Sequence, residues 1–265
     1  MAKTKRVLVT GGGTFLGDNI AAALLAEGAE VTLLVRPGAE DRLGPLAQRT
    51  RWWTADVWNP GSLKGRARNQ DTVIHTVGSM IADPAKGLSH DTLNFVSARN
   101  VANMCVSGGV TRMVLISAVS APWVSRQYIR SKREAERYIS RVGLRPTIIR
   151  APVAYMRGKR RGVFYRFLSL VGATPPFSWT WLGRVAPMPI DVLARGVARI
   201  ALDDEATKRI YYARDLRKRN RPDELNRPLP VNLDDTQPFR PQASGFHLLD
   251  EDVPFGWTPP MNHDR

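Results

Sequence analysis

The sequence predicts a doubly wound α/β domain: a parallel sheet with helices on both faces, a small C-terminal subdomain and an extended Pro-rich tail. Three observations carry this. Short apolar runs alternate with stretches of helical spacing from residue 7 to residue 150, the pattern that right-handed βαβ crossovers produce. The first run ends in Gly11-Gly12-Gly13, directly before a helical segment. Beyond residue 215 the periodicity stops and prolines recur from Pro222 to Pro260.

The elements follow in order. Val7-Leu8-Val9-Thr10 reads as a buried parallel strand, because nothing polar interrupts it. Leu16, Ile20, Ala23 and Leu24 then recur at helical spacing until Gly28 stops the helix. Strands are expected at 31–35, 51–55 and 72–77, then one long helix at 89–107 ended by Gly108-Gly109. A fifth strand at 113–117, a helix at 126–142 stopped by Gly143, and a sixth strand at 147–150 complete the core. A helix at 191–202 and a strand at 209–213 follow. The boundaries read as 1–156 for the dinucleotide-type core, 157–214 for the small subdomain and 215–265 for the tail, which alone in water would lack order.

The composition is that of a globular chain, with 43% hydrophobic and 24% charged residues. No apolar run approaches the roughly 18 residues a membrane span requires. The single cysteine, Cys105, excludes an internal disulfide. The first strand begins at residue 6 or 7, which leaves no room for a targeting peptide, so a mature chain or one needing no leader is expected. The net charge is +15, and residues 126–220 alone account for that value while the flanking stretches cancel. Such a concentration suggests an anionic partner there, or a solvated basic face. No nucleic-acid motif accompanies it, so nucleic acid is not expected as a partner.

The chemistry begins at Thr10-Gly11-Gly12-Gly13-Thr14-Phe15-Leu16-Gly17, which joins the first strand to the first helix. A glycine-rich turn there presents backbone N–H groups and a helix N-terminus to a pyrophosphate. The segment resembles the TGxxGxxG turn of extended and atypical short-chain dehydrogenases/reductases, a Rossmann family. Gly11 and Gly17 match; Thr14 stands where the middle glycine belongs, with Gly13 one place early. The likeness continues through Asp71 to His75, Asn94 to Asn100 and Gly109 to Ser117, over about the first 200 residues. It implies a nicotinamide cofactor held by Gly11, Gly13, Thr14, Phe15, Leu16 and Gly17. Asp56 and Val57 would contact adenine, and Thr76, Val77, Gly78, Pro152 and Val153 would line the rest. Arg36 ends the second strand, where an acid would bind the ribose of NAD; an arginine there favours the 2′-phosphate of NADP(H). His75, in a buried strand, reads as a core histidine.

Tyr128 and Lys132 lie four apart at the start of a helix and so share one face. In the resembled family, the lysine holds the nicotinamide ribose and lowers the tyrosine pKa, and the tyrosine exchanges a proton with carbonyl or alcohol. A Ser or Thr polarises the same oxygen; Ser117 and Ser120 are the candidates, though neither falls on the family position, and the loop to Tyr128 is short. The catalytic set, if the chain turns over, is therefore Tyr128, Lys132 and Ser117.

The wording Tyr128-Ile129-Arg130-Ser131-Lys132-Arg133-Glu134-Ala135-Glu136 resembles two mitochondrial branches of the family. One is the NADPH-binding accessory subunit of respiratory complex I; the other is linked to coenzyme Q biosynthesis. The first implies a noncatalytic NADP(H)-binding subunit on the matrix side of the inner membrane, with other subunits of that assembly and anionic lipid head groups as partners. The second implies an NAD(P)-dependent oxidoreductase or assembly factor. Residues 157–185 mix cations with Phe164, Tyr165, Phe177, Trp179 and Trp181, which suits a lipid interface or the core of the subdomain.

Overall fold

The computed structural model describes residues 4–84, 87–157, 185–205 and 208–229. Seven parallel strands form one sheet in the order β3-β2-β1-β4-β5-β6-β9. They are β1 (Arg6–Gly12), β2 (Glu30–Val35), β3 (Arg51–Thr54), β4 (Thr72–His75), β5 (Arg112–Ala118), β6 (Arg145–Ala151) and β9 (Ile210–Tyr211). A separate pair, β7 (Ala154–Tyr155) with β8 (Met188–Pro189), runs beside the end of β6. The doubly wound sheet expected from the alternation is thus the observed architecture. The strand order reverses at β1, between β2 and β4, so a crevice opens beyond the carboxyl ends of those strands.

Two apolar layers sandwich the sheet. On one face α1 (Phe15–Ala26) packs against α6 (Ile190–Leu202), with Ile20, Leu24, Leu193 and Val197 fully or almost fully buried on Val7, Val9 and Leu33. On the other face lie α4 (Ser97–Ser107) and α5 (Arg126–Arg141), which place Val101, Cys105, Ala135 and Ile139 over Leu8, Val73 and Leu115. The glycines expected to stop helices do so: Gly28, Gly109 and Gly143 all have φ between +75 and +82°.

Several expectations need correction. The helix expected across 89–107 is two pieces, a π-helical turn at Asp91–Val96 followed by α4. Its cause is local: Asn94 Nδ2 donates to His90 O at 2.9 Å and Ser97 Oγ to Leu93 O at 2.7 Å, side-chain competition with the helical ladder. Two short helices, α2 (Leu46–Arg49) and α3 (Pro60–Leu63), and a 3₁₀ turn at Glu40–Leu43 occupy stretches too brief to show periodicity. The expected boundary at residue 215 cuts through a helix, α7 (Ala213–Lys218). Residues 219–229 are also held to the domain. Arg199 pairs with Glu224 at 2.6 Å and with Glu27 at 2.7 Å, and Arg195, 5% exposed, donates to Glu224 O at 2.9 Å. The basic aromatic segment expected to meet lipid, residues 157–185, and the tail beyond 229 lie almost wholly outside the described residues.

Candidate active site

The turn between β1 and α1 closes on glycines that no other residue could replace without movement. A Cβ on Gly17 would lie 2.1 Å from Gly11 O, and one on Gly11, at φ +84°, would lie 2.6 Å from Thr76 Oγ1. These contacts draw the helix N-terminus against the strand end and seat β4 beside it, so the first-turn amides of Phe15 and Leu16 open on the crevice. Thr14 is the N-cap of α1, with an extended backbone at φ −118°. Its hydroxyl turns inward, donating to Gly11 O at 2.6 Å and accepting from Gly17 N at 3.2 Å. The left-handed conformation falls instead on Gly13, at φ +77°. Gly13 N donates to Asp18 Oδ1 at 2.8 Å. Asp18 is 4% exposed, and burial raises its pKa well above the usual carboxylate range despite that bond, which favours the neutral form.

The adenosine side of the crevice is cationic. Arg36 leaves the tip of β2 half-buried, and burial first, then the nearby Arg42 guanidinium, lowers its pKa. Among the described residues neither arginine forms an ion pair. Arg42 comes back toward the turn across the 3₁₀ helix, its Cβ 3.2 Å from where a Gly13 Cβ would stand. The sequence reading missed Arg42; six positions from Arg36, it has no periodic signal of its own. Asp56 follows β3 and accepts from Trp58 N at 2.9 Å, while partial burial raises its pKa. Val57 is fully buried.

On the far side of the turn, Thr76 donates to Thr10 O, Val77 is buried and Gly78 has φ +151°. A Cβ on Gly78 would lie 2.5 Å from both Lys132 Nζ and Asn94 Oδ1. The glycine therefore admits the ammonium from α5 into the end of the β4 strand. Lys132 is 3% exposed, donates to Ile116 O at 3.2 Å, and is pushed down to about 8 by burial, with Glu136 opposing. Tyr128 stands one turn earlier, its ring centroid 6.0 Å from Lys132 Nζ and 5.9 Å from the His90 ring. Burial raises its pKa, and Arg133 pulls the other way. Asn94 locks the loop below, accepting from Ser79 N at 2.9 Å and donating to Ser79 O at 2.8 Å. Its place in the Asn94–Asn100 pattern was legible; its clamp on Ser79 was not.

Ser117 is placed differently from a polarising hydroxyl. It donates to Glu136 Oε1 at 2.6 Å and accepts from Arg133 at 3.1 Å. Glu136, 4% exposed, also pairs with Arg133 and, at 2.7 Å, with Arg150, which reaches the Tyr212 hydroxyl at 2.9 Å. The hydroxyl thus belongs to an ion-pair network between β5, β6 and α5. Ser120 lies exposed past β5. Pro152 is buried and Val153 half-buried where β6 turns toward β7. His75 is fully buried, its Nδ1 2.9 Å from Thr10 Oγ1 and its Nε2 3.4 Å from Ser97 Oγ, and its pKa falls to about 3 through burial and Lys132. It is a core histidine, as its strand suggested.

The residues fit a nicotinamide dinucleotide: a cradle that a Cβ would fill, a helix N-terminus and two arginines at the adenosine end that have no acid partner among the described residues. A family model described as NAD(P)H-binding matches residues 11–166. A ceramide reductase of Caulobacter vibrioides is 27% identical over 214 residues, 78% of this chain and 61% of that protein. The decarboxylating sterol-4-alpha-carboxylate 3-dehydrogenase of Bos taurus is 28% identical over 119 residues, 44% of this chain and 32% of that protein. The chain thus spans between a third and three fifths of the length of these curated relatives. Among solved structures, the Bordetella bronchiseptica enzyme WbmG in complex with NAD superposes with a TM-score of 0.58 at 18% identity, covering 79% of this chain and 72% of that one. DesIV, a dTDP-glucose 4,6-dehydratase of Streptomyces venezuelae with NAD bound, gives 0.54 at 23% identity, covering 74% and 71%. These two likenesses establish the fold.

Proposed function

Because the chain belongs to the NAD(P)H-binding family of Rossmann, short-chain dehydrogenase/reductase type, we propose that it is an NADP(H)-dependent oxidoreductase acting on a hydrophobic alcohol or ketone. The observation that carries this reading is the pairing of Tyr128 and Lys132 on one face of α5, beside Gly78, at the same end of the sheet as the glycine cradle. Gly11, Gly13, Thr14, Phe15, Leu16 and Gly17 would hold the diphosphate, and Arg36 with Arg42 the 2′-phosphate. When bound, the nicotinamide supplies or accepts a hydride. The protein's share is proton chemistry and orientation. Burial favours the phenol of Tyr128 over the phenolate, the form that can give a proton to a ketone oxygen, and Lys132 Nζ stands 6.0 Å from its ring centroid on the same helix face. Gly78 and Asn94 fix the lysine's approach. The substrate class rests on the names of the two curated relatives, one a ceramide reductase and one a sterol-carboxylate dehydrogenase.

The test is NADPH consumption by the full chain with a panel of sterol and sphingolipid ketones. Turnover abolished by Tyr128→Phe with NADPH affinity retained supports the reading. NADPH bound tightly with no consumption across the panel overturns it.

One observation favours a second reading. With Ser117 tied to Glu136 and Arg133, the third member of the usual proton relay is withdrawn, which suits a protein that binds NADPH without turnover. Joined to the Tyr128–Glu136 wording, this supports a mitochondrial accessory subunit of NADH:ubiquinone oxidoreductase, or a factor in coenzyme Q biosynthesis, resting on the matrix face of the inner membrane against anionic lipid. No helix among the described residues is long and apolar enough to cross a membrane. Co-migration with NADH dehydrogenase activity on a blue-native gel is expected for the subunit; migration as a small free species refutes it.

A further inference from the structure

The sheet has a second concave site at its opposite end. The amino ends of β1, β2 and β3, with the loop before β4, enclose a cleft of about 180 Å³ lined by Arg6, Thr32, Arg51, Trp53, Arg68 and Gln70. Arginines from three segments line it, and Arg6 has an acid beside it: its backbone N donates to Asp71 Oδ2 at 2.8 Å, and its Nε lies 3.7 Å from the same oxygen. Arg51 and Arg68 are exposed and form no ion pair among the described residues. Asn69, between Arg68 and Gln70, has φ +62°, the one positive φ of a non-glycine residue described.

Two polar atoms at this cleft are buried with no hydrogen-bond partner, Arg6 Nε and Gln70 Oε1. Gln70 Nε2 reaches Thr32 Oγ1 at only 3.4 Å. Of the two, Arg6 Nε is the donor, and its acid, Asp71 Oδ2, stands 3.7 Å away, beyond hydrogen-bond reach. Unpaired donors in a recess are costly until an acceptor arrives. An oxyanion supplies several acceptors at once, and planar guanidinium forks match phosphate best. Trp53 adds a flat apolar wall, and Arg66 lies over its ring at 5.5 Å, which braces the indole.

We propose that this cleft binds a small phosphomonoester whose organic part is flat and lies against Trp53. The phosphate sits among Arg6, Arg51 and Arg68. The site is separate from the dinucleotide cradle, being at the other end of the strands, so both ligands can be held together.

Calorimetric titration of the full chain, saturated with NADPH to fill the cradle, tests this with phenyl phosphate and inorganic phosphate as probes. Saturable binding of phenyl phosphate, tighter than inorganic phosphate, is expected. The double variant Arg51→Gln/Arg68→Gln, at two exposed positions that do not support the core, should weaken phenyl phosphate at least about tenfold and leave NADPH affinity within about twofold. Trp53→Leu should bring the two probes to equal affinity. The proposal is overturned if no saturation occurs by about 10 mM, or if the double arginine variant binds phenyl phosphate as the parent does. NADPH binding is read in the same cell, so failure of the cradle and failure of this cleft are distinguished.

Discussion

His75 should make this protein lose stability in mild acid, well before its carboxylates do. The residue is fully buried, its ring nitrogens face Thr10 and Ser97, and its pKa falls from 6.5 to about 3, mainly through burial and secondly through Lys132. The native state therefore keeps the imidazole neutral, whereas the unfolded chain protonates it near its ordinary pKa. The depressed value means the stabilisation is complete above pH 6.5 and drains away as pH falls toward 3. One pKa unit corresponds to about 1.4 kcal/mol, so the descent from pH 7 to pH 5 removes about 2 kcal/mol through this group alone. That is a large share of the roughly 5–15 kcal/mol that a domain has. The assay is urea unfolding at pH 7, 6 and 5 of the parent chain and of His75→Gln, which cannot titrate. The variant starts lower, because its packing changes, but its stability should fall about 2 kcal/mol less over that range. Carboxylates common to both chains cancel in the difference. Parallel pH profiles would refute the reasoning.

Three further outcomes follow from the site. Arg36→Asp should weaken NADPH by about 10- to 100-fold, the worth of one or two charge-assisted hydrogen bonds, and leave NADH within about threefold; equal loss for both in fluorescence titration would remove Arg36 from the 2′-phosphate. Gly17→Ala places a Cβ 2.1 Å from Gly11 O, so α1 must shift; thermal unfolding should show about 1–3 kcal/mol lost and nucleotide titration at least a tenfold loss, and unaltered nucleotide affinity would contradict the cradle. Ser117→Ala should leave any turnover within about threefold while lowering urea stability by about 1–2 kcal/mol, since its hydroxyl serves Glu136; a collapse of turnover at unchanged stability would return Ser117 to the proton relay.

How legible all this was depends on the range of the interactions involved. The strands and the helix stops were visible because each is decided within a few residues: an apolar run such as Val7 to Thr10, or a glycine able to take positive φ at 28, 109 or 143. The π-turn was not, because Asn94 and Ser97 divert the helix only through bonds to His90 O and Leu93 O that residue type alone does not announce. The hold on residues 219–229 was hidden for another reason. Arg195 and Arg199 meet Glu224 from 29 and 25 positions away, so a stretch without periodicity is ordered by a helix that had to be placed first. At the site, the same contrast separates Tyr128 and Lys132, whose spacing sets a shared face, from Ser117. Its residue type suited a catalyst, but its direction was set by Glu136 and Arg133 on another element.

The departure at position 14 shows how a turn can break a family's letter and keep its physics. A glycine is required in such a loop only where the backbone must go left-handed or approach something closely. Here Gly13 takes the left-handed residue, at φ +77°, and position 14 becomes an ordinary extended N-cap, at φ −118°. Threonine is a good residue for an N-cap, and its hydroxyl is spent inside the turn, on Gly11 O and Gly17 N, rather than on the crevice side. The displaced amide of Gly13 would otherwise go unpaired, and Asp18 meets it at 2.8 Å. A charged carboxylate so near a diphosphate would be self-defeating, but burial raises its pKa and favours the neutral acid. Thr14 and Asp18 are therefore a matched pair. Restoring glycine at 14 alone removes the cap and gains no approach to the cofactor, so Thr14→Gly is no repair of the site.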